Sequence, residues 1–92
     1  MAVLVFSEQA DDMLDELEAT PTRVNLLGRI NSALDLLESD PTDIRCRRRR
    51  FQNIGCWAIS VEADTNEWLI LWEEGDAGSS DTVIVRAINP AP

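Results

Sequence analysis

The apolar pattern of this 92-residue chain changes period near its middle, and that change limits the possible folds more than any single motif. From Arg45 onward apolar and polar residues alternate, so "RRRRF", "CWAISV", "WLILW" and "TVIVRAI" read as four strands. "QNIG", "EADTNE" and "EEGDAGSSD" separate them, each rich in residues that hairpin turns use. Upstream of Arg45 the apolar residues recur three and four apart. "VLVF", Val3 to Phe6, is a short β-branched run ahead of a helix start, where Ser7 is a candidate N-cap and Glu8, Asp11 and Asp12 lie near the positive end of the helix dipole. Ala10, Met13, Leu14 and Leu17 make the stripe of that helix. Thr20-Pro21 marks a second start, Val24, Leu27, Ile30, Leu34 and Leu37 make a second stripe, and Asp40-Pro41 ends it. Gly28 inside the second helix costs ~1 kcal/mol relative to Ala, which predicts a close helix–helix approach there.

These elements predict a single α+β two-layer domain over residues 1–92, in the order β-α-α-β-β-β-β, with a helical hairpin packed on one face of a mainly antiparallel sheet. "WLILW" is apolar on both faces, as a central strand is. Setting Phe51 and Trp57 toward the helices places Trp68, Ile70 and Trp72 in the core as well. Arg48, Arg50, Ala58, Ser60, Leu69, Leu71 and Arg86 then share the outer face, with Arg50 opposite Ala58 and Arg48 opposite Ser60.

Charge narrows the function. The chain has 17 acidic and 8 basic residues, a formal net charge of −9, and the segment Arg45 to Val61 holds five of the basic residues and no acidic one. Long-range repulsion of phosphate disfavours nonspecific nucleic-acid binding by the whole surface, so any anion site is local. The run Arg45, Arg47, Arg48, Arg49 and Arg50 admits two readings: a binding site for RNA or another anion, built on guanidinium forks, or a set of ion pairs with surrounding carboxylates. The sequence has no His, Tyr or Lys, which leaves acid–base chemistry to carboxylates, with Glu73 and Glu74 as candidates. Trp57, Trp68 and Trp72 read as core residues or as platforms for bases. Cys46 and Cys56 lack metal-ligand spacing, so no metal and no cofactor is expected and both thiols are expected to be unpaired. No apolar run reaches the ~20 residues of a membrane helix, and "MAVLVFSEQADD" lacks the features of a signal peptide, which predicts a cytoplasmic protein without a membrane partner.

The order of elements, with "SEQADDMLDEL" on the first helix, "INSALDLLESDP" closing the second and "RRFQNIGCWAISV…EWLILWEE…VIVRAI" as the meander, resembles the RelE/ParE superfamily of bacterial toxins. The resemblance implies the toxin half of a type II toxin–antitoxin pair, with a cognate antitoxin as partner. In the RelE-like branch the activity is cleavage of mRNA on the ribosome; in the ParE-like branch it is inhibition of DNA gyrase. Where the RelE-like branch carries basic residues, this chain has Ala58, Ser60 and Leu69, and the family's C-terminal aromatic or His has no counterpart. The Arg run lies one strand over from those positions. A ribonuclease would therefore rest on Arg48, Arg50 and Arg86. A non-catalytic protein-binding module on the same fold would use Ala58, Leu69 and Leu71 as its partner face. Nuclease, gyrase-directed toxin and binding module all remain open at the level of sequence.

Overall fold

Ser7 joins the first strand to the first helix and ties both to the far half of the chain. The computed structural model describes residues 3–47, 49–63, 66–75 and 82–91. It begins with β1 (Val3–Phe6), followed by α1 (Glu8–Glu18). The Ser7 side chain accepts a hydrogen bond from the Ala10 N–H at 3.2 Å, which satisfies one free donor of the first turn. Its hydroxyl donates to the Arg86 carbonyl at 2.6 Å and its N–H to the Val85 carbonyl at 2.9 Å.

In α1 the expected stripe points inward, with Ala10 and Leu17 buried and Met13 and Leu14 half-buried. A 3-10 turn, Pro21–Arg23, leads into α2 (Val24–Ser39). The inward stripe of α2 is Leu26, Ile30, Leu34 and Leu37, whereas Val24 is 67% exposed. Two residues advance a helix by about 200°, so Val24 lies across the axis from Leu26 and cannot share its face. Gly28 is exposed, and a Cβ built there meets nothing within 4 Å, so no close helix packing accounts for it.

The sheet is completed by β2 (Arg49–Phe51), β3 (Cys56–Ala63), β4 (Asn66–Glu74) and β5 (Thr82–Pro90). Among the described residues its five strands run in the order β1-β5-β4-β3-β2. β1 pairs in parallel with β5 and the other neighbours are antiparallel, which makes an α+β fold on a mixed sheet. β4 occupies the centre, as its doubly apolar sequence requires. Trp72, Ile70, Val83, Val85 and Ile88 meet Leu26, Ile30 and Leu37 in the core between sheet and helices. Each such fully buried side chain contributes roughly 1.5–3 kcal/mol relative to exposure. Among the described residues no helix is long and apolar enough to cross a bilayer.

The Arg run departs from expectation in two ways. Its head is not strand: Ile44–Cys46 form a 3-10 turn whose Arg45 N–H donates to the Asp43 side chain at 2.8 Å, and Cys46 is buried. Its tail is shifted by one residue, for β2 pairs Arg49 with Ala58, Arg50 with Trp57 and Phe51 with Cys56. The cause is the connection. Gln52 to Gly55 form a four-residue turn that closes with Gly55 at φ 68, a conformation that glycine adopts without strain. The expected register, which sets Phe51 opposite Trp57, would need a loop one residue longer, Gln52 to Cys56. Directly paired residues share a face, so Arg50 lies on the helix side beside Trp57, and Arg49 and Phe51 lie on the outer side. Arg48 lies outside the described residues. The β3–β4 register matches expectation, setting Ala58 opposite Leu71 and Ser60 opposite Leu69. On the other flank Leu71 pairs with Ala87 and Trp72 with Val85, so Arg86 is the extra residue of a β-bulge.

Candidate functional site

The turn after α2 and the ends of β2, β3 and β4 bring arginines, tryptophans and carboxylates to one margin of the sheet. Trp72 is fully buried, and its indole N–H donates to the Cys46 carbonyl at 2.9 Å, which anchors the 3-10 turn to β4. Trp57 is its cross-strand partner, with ring centroids 6.4 Å apart at 28°. The Arg47 guanidinium lies 5.2 Å from the Trp57 centroid and 5.5 Å from that of Trp72. It donates through Nε to the Pro41 carbonyl at 2.9 Å and through Nη2 to Glu74 Oε1 at 2.8 Å. Arg50 lies over Trp57 at 4.5 Å, the shortest cation–aromatic distance among the described residues. Together Arg47, Arg50, Gly55, Trp57, Glu73 and Glu74 line a cleft of about 380 Å³.

Most of the positive charge is already matched. Arg45 forms a two-pronged pair with Asp43, Nε to Oδ1 at 3.1 Å and Nη2 to Oδ2 at 3.0 Å. Those hydrogen bonds hold the Asp43 carboxyl down at about 2, below its ordinary 3.8. Arg49 reaches Glu67 at 3.4 Å, and the other oxygen of Glu67 accepts from the Ser60 hydroxyl at 2.7 Å. Arg86 pairs with Glu73 at 3.2 Å. Arg50 makes no ion pair with a described carboxylate. It is thus the one described arginine of the run whose charge rests on an aromatic face instead of a carboxylate.

The expected site residues are therefore only partly assembled. Arg47 and Arg50 share the cleft, and Arg86 is linked to it through Glu73, whereas Arg45 and Arg49 are held elsewhere by Asp43 and Glu67. Glu73 and Glu74, the candidate bases, act as the ion-pair partners of Arg86 and Arg47. Cys56 lies beside the cleft, and burial, reinforced by the charge of Glu73, pushes its thiol up. The expected exposed patch is mostly closed: Ala58 is 1% and Leu69 7% exposed, and Leu71 is half-buried. Ala58 sits between the longer cross-strand residues Arg49 and Leu71, and Leu69 between Ser60 and Asn89, so neighbours in the sheet shade both.

Sequence reasoning missed Arg47 as the centre of the cluster, because its partners Trp72 and Glu74 lie on a distant strand. It also missed a larger groove of about 900 Å³ between α2 and the β3–β4 hairpin, lined in part by Asn25, Arg29, Ser32, Glu62 and Glu67. Comparison of the chain with family models, curated proteins and solved structures finds no match.

Proposed function

We propose that this chain is a RelE/ParE-like domain belonging to a type II toxin–antitoxin pair, and that it works by binding protein, not by cleaving RNA. The order of elements and the two helices on one face of the sheet support the toxin-like fold. The observation that carries the non-catalytic reading is the pairing of Arg45, Arg47, Arg49 and Arg86 with carboxylates at 2.8–3.4 Å. A guanidinium already neutralised in place offers phosphate little net attraction, and leaves its carboxylate unpaired if it leaves. A protein target such as gyrase falls within this reading.

The test is a ribosome-dependent translation reaction with the purified protein, followed by mapping of mRNA ends, run beside a gyrase supercoiling assay and a titration against the purified product of the adjoining reading frame. The expected outcome is intact mRNA and a stoichiometric complex with that product. Site-specific cleavage abolished by Arg50→Ala would overturn the non-catalytic half, and absence of any complex would overturn the toxin–antitoxin half.

The ribonuclease reading keeps one observation in its favour, the exposed Arg50 guanidinium over Trp57 without a described carboxylate partner. Such a cation–aromatic step is a place where a base and its phosphate dock together.

A further inference from the structure

The two edges of the sheet are built differently. β2 is a three-residue edge that carries Arg49 and Arg50, and charge and brevity both discourage another strand from joining it. β1 is one residue longer and lacks the charge. It reads Val-Leu-Val-Phe with no charge and no proline, Val3 is 63% and Val5 46% exposed, and among the described residues no strand pairs with its outer side. Because the Ser7 N–H bonds inward to Val85, the two-residue alternation of a parallel ladder turns the N–H and C=O groups of Leu4 and Phe6 toward the open edge. Beside that edge lies a groove of about 620 Å³ between β1 and α2. Leu4, Phe6 and Leu34 give it an apolar lining, and the exposed Asp35 and Glu38 of α2 stand on its rim.

We propose that the β1 edge takes up an extended segment of another protein, added as a sixth strand, with apolar residues at alternate positions facing the groove and Arg or Lys flanking them on the same side. Leu4 and Phe6 supply the main-chain hydrogen bonds, the groove receives the alternate side chains, and Asp35 and Glu38 receive the basic groups. Charge selects this occupant over a second copy. Two chains of net charge −9 joined along β1 would bring their acidic rims together, and "VLVF" holds no basic residue to compensate. The proposal is independent of the toxin reading, since it uses neither the arginine cleft nor the outer face.

The probe is a labelled, end-capped peptide Arg-Thr-Val-Ile-Val-Thr-Arg, followed by fluorescence anisotropy with the full chain. The expected result is saturable binding that weakens with added salt. Asp35→Lys with Glu38→Lys should reduce affinity roughly tenfold or more, whereas the same charge change on the exposed face of α1, Asp15→Lys with Glu18→Lys, should leave it within about twofold. Methylating the peptide's backbone nitrogens should abolish binding on one alternate set of residues and spare it on the other, as a strand pairing along one edge requires. No binding, or binding indifferent to the rim charges or to methylation of either set, would overturn the proposal. So would a stable homodimer in sedimentation that Val5→Lys dissolves, for it would assign the edge to a second copy.

Discussion

Arg47 and Glu74 are 27 positions apart in sequence and hold each other at 2.8 Å, both side chains about three-quarters covered. That pair, with the two tryptophans beneath Arg47, fastens the turn after α2 to the end of β4. Arg47→Ala leaves Glu74 without its partner and the Pro41 carbonyl without its donor. The expected cost is about 2 kcal/mol, the sum of a partly desolvated cation–aromatic contact and a charged hydrogen bond. For a domain of this size the thermal midpoint should drop by roughly 8 °C or more. A calorimetric midpoint unchanged in Arg47→Ala would show that the turn is held by Trp72 and Cys46 alone.

The Arg45–Asp43 pair gives an acid-side signature. The Asp43 carboxyl is held at about 2, against an ordinary 3.8, by its hydrogen bonds to Arg45. It ionises more readily folded than unfolded, so the stabilisation it supplies is complete above about pH 4 and fades as pH falls toward about 2. Carboxyl-detected NMR titration should find the Asp43 midpoint below its ordinary 3.8, and Arg45→Ala should return it to the ordinary range.

Salt should stabilise the protein. Screening weakens the exposed Arg45–Asp43 and Arg49–Glu67 pairs, but it also relieves repulsion among 17 acidic residues opposed by only 8 basic ones. Six of the acids lie on α1 or α1's first turn, Glu8, Asp11, Asp12, Asp15, Glu16 and Glu18, all exposed. Net repulsion outweighs a few screened surface pairs. Raising salt from roughly 0.05 M to about 1 M shortens the Debye length to about 3 Å, and the thermal midpoint should rise across that range. A falling midpoint would mean that the ion pairs dominate.

Both cysteines are unpaired and buried, and burial pushes each thiol up, with nearby carboxylates adding to the effect. Native protein should therefore react slowly with a thiol reagent at mildly alkaline pH and yield both thiols at once on denaturation. Rapid native labelling at one site would show that the turn at Cys46 or the strand end at Cys56 opens readily.

The helices and the meander were legible in the sequence because each carries an apolar period of its own, and because Ser7, Pro41 and the turn segments mark boundaries locally. The register at the Arg run was not legible. Alternation assigns faces only where apolar and polar residues differ, and four consecutive arginines are identical at every step. Phe51 was the single apolar marker, and the four-residue turn after it sent it to the outer side. The cleft was hidden for a related reason: Arg47 reads as one more member of a charge run until Trp57, Trp72 and Glu74 are brought to it from β3 and β4. The place of β1 at the far edge, beside β5, is likewise set by a pairing that no local pattern encodes.

The contacts of Ser7 and Gln9 with β5 have a consequence for how the chain reaches this fold. Ser7 binds the carbonyls of Val85 and Arg86, and Gln9 accepts from the Ile88 N–H, all across about 79 positions of sequence. During synthesis the helical hairpin and β2 to β4 can form while β5 is still inside the ribosome, but β1 has no neighbour until β5 emerges. The nascent chain thus holds an unpaired Val-Leu-Val-Phe segment and an open flank on β4 at the same time, both closed by one late strand. Closing so long a loop is slow, which makes emergence of residues 82–90 the step at which the chain either completes its sheet or pairs with something else.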